Sequence, residues 1–93
     1  MLIRRRIRGK AMAYGFIESD VIRYALIDRD NTPDTLSKCL DLMCDYITDD
    51  MTDEHVPYEV WTKRNDALTL ACKSYDRKEY SVCLAYIDDY FAI

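Results

Sequence analysis

Leu36, Leu40, Met43, Ile47 and Met51 recur at steps of four, three, four and four, and no other feature of this sequence limits its fold so strongly. A helix turns by about 100° per residue, so the five side chains share one stripe of a rod. The period returns in Trp61, Leu68, Cys72 and Tyr75, with Arg64, Ala67 and Ala71 beside them. It returns again in Tyr80, Cys83, Leu84, Ile87 and Phe91, which leaves Asp88 and Asp89 facing outward. Earlier in the chain, Ile17, Val21, Tyr24 and Ala25 stand at helical spacing beside Ile22 and Leu26, with Ser19 and Asp20 near the start. Only two glycines and two prolines occur in 93 residues, too little turn chemistry for a many-stranded sandwich or barrel. The expectation is an all-α fold, a compact array or bundle of about four helices joined by short connections. Residues 13–93 form its single domain, and residues 1–12 are a basic arm or short strand.

Boundaries follow from local chemistry. Asp28 to Asn31 are a polar break, after which Thr32 is placed to cap a helix, Pro33 suits its first position and Asp34 favours the positive end of its dipole. Residues 49–56 combine acids with few apolar side chains and read as a loop. Pro57 restarts a helix with Glu59 in its first turn. Asp76-Arg77-Lys78-Glu79 has the spacing of a capping box, with Asp76 capping the last helix and Glu79 reaching back.

Charge is unevenly distributed. Residues 1–10 hold Arg4, Arg5, Arg6, Arg8 and Lys10 and no acid. Of 13 basic and 17 acidic residues in the chain, the other 83 positions therefore keep 8 and 17, a net of −9. So acidic a body repels phosphate backbones, which confines any nucleic-acid contact to the arm. The basic start runs into Ala11, Met12, Ala13, Tyr14 and Gly15 rather than the apolar core of an export signal, and no stretch has the length and apolarity of a membrane span. The expected location is the cytoplasm, with no membrane partner. Met12 also stands where a shorter product could begin.

In a reducing compartment Cys39, Cys44, Cys72 and Cys83 are expected as thiols that fill a helical core. Zinc sites present ligand pairs two to four residues apart, whereas Cys39 and Cys44 are five apart, so no metal is expected. His55, the single histidine, lies beside Asp53 and Glu54 with no nucleophile or glycine-rich oxyanion loop, and reads as a solvated loop residue. With glycines only at Gly9 and Gly15, neither common nucleotide-binding loop can be written, and no cofactor is expected. The paired acids Asp49 and Asp50, Asp53 and Glu54, and Asp88 and Asp89 read as solvated charge rather than as an acid–base pair in a cleft.

Two local patterns resemble known families. Leu70, Ala71, Tyr80, Cys83, Leu84 and Ile87 resemble the helical hairpin of a tetratricopeptide repeat, though Tyr90 stands where that pattern has a small residue and no second copy occurs. Gly15, Ser19, Asp20, Val21, Ile22, Arg23, Ala25 and Leu26 look like the second helix of ribbon-helix-helix DNA-binding dimers. That resemblance implies a transcription regulator with Ile3 to Arg8 as the basic ribbon, but residues 9–14 are too few for the intervening helix.

What rises above background is aromatic and acidic residues interleaved. Asp41, Asp45, Tyr46, Asp49, Asp50, Tyr58, Asp88 and Asp89 form the expected protein-binding set. Tyrosine offers contact area at low entropy cost, and the carboxylates complement a basic partner. The leading expectation is a small non-enzymatic regulator or adaptor, in its sharpest form an inhibitor from a phage or mobile element, that docks a basic protein. The alternative is the DNA-binding dimer, with Arg4, Arg5, Arg6, Arg8 and Lys10 on nucleic acid. Self-association is a third reading, since the apolar stripes are broad for so short a chain.

Overall fold

The computed structural model describes residues 20–93. The expected arm, its five basic residues and the start of the first helix before Asp20 lie outside the described residues. Four helices follow in order: α1 (Asp20–Leu26), α2 (Pro33–Met51), α3 (Tyr58–Asp76) and α4 (Tyr80–Ala92). The all-α array expected from the spacing is therefore what the chain forms.

Helix α2 is the hub, packed against the other three, while α3 and α4 are the most extensively paired neighbours and α1 rests on α2 and α4. Their shared core contains Ile22, Ala25 and Leu26 from α1 and Leu36, Cys39, Leu40, Met43 and Ile47 from α2. Ala67, Leu68 and Ala71 of α3 and Cys83, Leu84, Ile87 and Tyr90 of α4 complete it. The alanines leave room for α4 to lie close to α3. Two side chains read onto core stripes face solvent instead. Met51 is 65% exposed because α2 ends there and, among the described residues, no helix covers its last turn, and Tyr24 is 51% exposed because Ile22, Ala25 and Leu26 centre the buried face of α1.

The helix ends depart from the expected caps. Thr32 occupies the N-cap of α2 but its side chain makes no capping bond. Asp30 instead braces the preceding turn: its carboxylate accepts hydrogen bonds from the Thr32 main-chain N–H (3.0 Å), the Thr32 hydroxyl (2.8 Å) and the Thr35 hydroxyl (2.9 Å). Those three donors, the main-chain one foremost, hold the Asp30 carboxyl below its ordinary value. The region read as a loop from residue 49 begins later, since Asp49, Asp50 and Met51 are the last turn of α2.

The capping box is absent too. Asp76 closes α3, and Glu79 sits at the N-cap of α4 without a side-chain bond. Glu79 N–H bonds Ser74 C=O (2.9 Å) and Lys78 N–H bonds Tyr75 C=O (2.9 Å), with Lys78 at φ 63°. This is a Schellman end, with lysine in the left-handed position that usually holds glycine. Arg29, after α1, has φ 58°.

Candidate functional site

Taking about 100° per residue, Asp41, Asp45 and Asp49 lie on the side of α2 opposite Leu36, Met43 and Ile47. All three are exposed. Lys38, the one cation of α2, pairs with Asp34 at 3.1 Å on the same face. The outward stripe expected from the sequence is thus where the helix puts it.

The other members of the expected set scatter. Asp50 is a correction: it is 7% exposed, a step of 100° from Asp49 onto the core side. There it pairs with Arg64 of α3 at 2.9 Å, and Arg64 Nη2 also donates to the main-chain oxygen of Ile93 at 3.1 Å. A carboxylate so enclosed ties α2 to α3 and the end of α4; it does not meet a partner. Tyr46 is half-buried, edge-on to Phe91 of α4 with ring centroids 6.3 Å apart. Asp88 lies 3.5 Å from Arg29, linking α4 to the α1–α2 turn, while Asp89 faces solvent. Tyr58, at the start of α3, is 78% exposed.

A second feature stands at the far end of α2. Asp50, Met51, Thr52, Asp53, Glu54, Val56, Tyr58 and Trp61 line an open groove of about 500 Å³. Asp53 shapes its rim, with its carboxylate accepting the His55 main-chain N–H at 2.9 Å and its C=O accepting Val56 N–H at 3.0 Å. Trp61 is pinned by a 3.1 Å bond from its Nε1 to the Ile47 carbonyl and stacks on Tyr58, with ring planes 25° apart. His55 points outward 3.4 Å from Asp53, as a loop histidine should. The helical spacing gives no sign of this groove, because it puts Met51 on a core stripe, whereas Met51 is exposed; Trp61 does pack half-buried against the core. A pointer was present in the end of α2's period at Met51, directly before acids and an aromatic restart.

The cysteines are free thiols: Cys39 and Cys83 buried, Cys72 half-buried and Cys44 exposed. Burial pushes Cys39 up to about 12, with Cys83 and Asp30 adding to it, and pushes Cys83 up to about 11, with Cys72 adding. Cys72 is raised by burial first, then by Cys44, Asp76 and Asp41. Thiols buried and held protonated are poor nucleophiles, so Cys39 and Cys83 pack rather than react. Among the described residues no three His, Cys, Asp or Glu side chains converge to hold a metal ion, and no helix is long and apolar enough to cross a membrane.

Comparison of the chain with protein-family models, with curated proteins and with solved structures returned no match.

Proposed function

We propose that this chain is a small non-enzymatic regulator or adaptor of the cytoplasm that binds a basic surface on another protein through the acidic outer face of α2. One observation carries the reading: Asp41, Asp45 and Asp49 share the exposed stripe opposite the core. Like charges four apart weaken a helix by a few tenths of a kcal/mol per pair, and three in register are a cost that a basic partner would turn into a gain. Asp89 on α4 and Tyr58 at the start of α3 are further exposed acidic and aromatic side chains. An inhibitor that occupies the nucleic-acid-binding face of its target is the form to test first, because a row of carboxylates can compete with phosphates for lysine and arginine.

The test is capture of a basic partner by the intact chain and by the variant Asp41→Lys, Asp45→Lys, Asp89→Lys. The three positions are exposed, so the variant should fold as the parent does. Affinity should fall at least tenfold in the variant and should weaken steadily as salt rises. A partner that binds both proteins equally, with no dependence on salt, would refute the acidic face as the docking surface.

A further inference from the structure

The groove at the end of α2 deepens that reading, on which it rests, by naming what the partner inserts. Met51 and Tyr58 expose apolar and aromatic surface at one place, where α2 stops and α3 begins, with half-buried Trp61 behind them. Solvent-facing aromatic surface beside a cleft is the pattern of a contact site rather than of a folding core. Asp50, Asp53 and Glu54 line the groove, with Asp50 paired to Arg64 and Asp53 bonded to the His55 main-chain N–H, so acids outnumber bases there. Residues 49–59 hold five acids (Asp49, Asp50, Asp53, Glu54, Glu59) and no lysine or arginine. Arg64 reaches in from α3, but it is enclosed between Asp50 and Ile93. The last turn of α2 contains no basic residue to offset the negative end of the helix dipole, which faces the same groove.

Negative potential and an aromatic face together select a cation that can also stack. Lysine offers a compact, strongly hydrated charge, whereas the planar guanidinium of arginine lies flat on a ring and forks onto a carboxylate. We infer that the α2–α3 groove receives an arginine side chain, with its apolar neighbour, from a segment of the basic partner protein. The guanidinium stacks on the Tyr58–Trp61 face and pairs with Glu54, while the neighbouring apolar residue covers Met51. A volume of about 500 Å³ suits a short peptide segment and is more than one small ion requires.

Trp61 is the only tryptophan, so its emission reports on the groove without a label. The probe is an acetylated, amidated Gly-Leu-Arg-Arg-Leu-Gly peptide titrated into the full chain at low salt, beside its lysine counterpart. A saturable change in Trp61 emission is expected, about fivefold tighter for the arginine peptide. Tyr58→Ala and Glu54→Gln should each weaken it at least fivefold, and Asp41→Lys with Asp45→Lys should change it less than twofold. Equal binding of the two peptides would overturn the guanidinium assignment. Loss of binding on charge reversal of α2, with Tyr58→Ala and Glu54→Gln inert, would overturn the groove and leave the acidic-face reading standing. No response from any variant would overturn the groove as well, and the capture experiment would then decide the acidic face alone. Two further outcomes would show that a different occupant fills the groove. One is a peptide-free change in Trp61 emission on replacing Arg4, Arg5, Arg6 and Arg8 with glutamine, which would assign it to the chain's own arm. The other is emission that depends on protein concentration, which would assign it to a second copy.

Discussion

Asp50 and Arg64 show how much one pair of residues decides. Their side chains are 8% and 12% exposed, and the guanidinium is shared between the Asp50 carboxylate and the Ile93 main-chain oxygen. Removing one partner of such a pair strands a charge in low dielectric, whereas replacing both with apolar groups can be nearly neutral. Asp50→Ala should therefore cost about 3 kcal/mol of stability, and Asp50→Leu combined with Arg64→Met should recover most of it. Urea denaturation of the two variants checks this, and a double variant as unstable as Asp50→Ala would remove the pair from its structural role. Asp30 carries a different electrostatic signature. Because its carboxyl is held below the ordinary 3.8, its contribution is present above that pH and fades as the solution is acidified further. Neither residue announced its role in the sequence. Asp49 and Asp50 are adjacent acids with identical chemistry, and only the turn of the helix, with Arg64 waiting on α3, puts one outside and the other inside.

The helices were legible as elements because their apolar residues keep the period of a rod, and Thr32-Pro33 and Pro57 marked where α2 and α3 begin, but the bonds at the ends were not legible, because Thr32 and Glu79 make no side-chain cap and α3 closes on a lysine. Glycine is the common marker of a left-handed helix end, yet both described left-handed positions carry long side chains, Arg29 and Lys78. A side chain there costs roughly 1–2 kcal/mol. Lys78→Gly should relieve that cost and stabilise the chain by about 1 kcal/mol, read as a rise in Tm of roughly 4–8 °C. Arg29→Gly should gain less or lose, because the Arg29 guanidinium bonds the Leu26 carbonyl at 3.3 Å and faces Asp88. Equal gains at both positions would mean that the Arg29 contacts contribute nothing. The same limit explains the groove. Periodicity assigns Met51 and Trp61 to stripes, but whether a stripe is covered at its end depends on where the next helix begins.

For the molecule as a whole, one core joins all four helices, and every surface assigned above is outward only because that core fixes which sides are inward. The four cysteines sample its depth, from exposed Cys44 through half-buried Cys72 to buried Cys39 and Cys83. Their protonation also sets an alkaline limit. With Cys39 and Cys83 raised from 9.0 to about 12 and about 11, the folded chain holds protons that the unfolded chain releases. The stability they contribute is complete below pH 9 and is lost as pH climbs through 11 and 12. The most direct test of the shared core is alkylation of the native chain at neutral pH, followed residue by residue by mass spectrometry. Cys44 should be modified first and Cys72 more slowly, with Cys39 and Cys83 reacting only at the rate of global unfolding. Modification of Cys39 or Cys83 as fast as Cys44 would contradict the packing, and with it the placement of the acidic face and the groove.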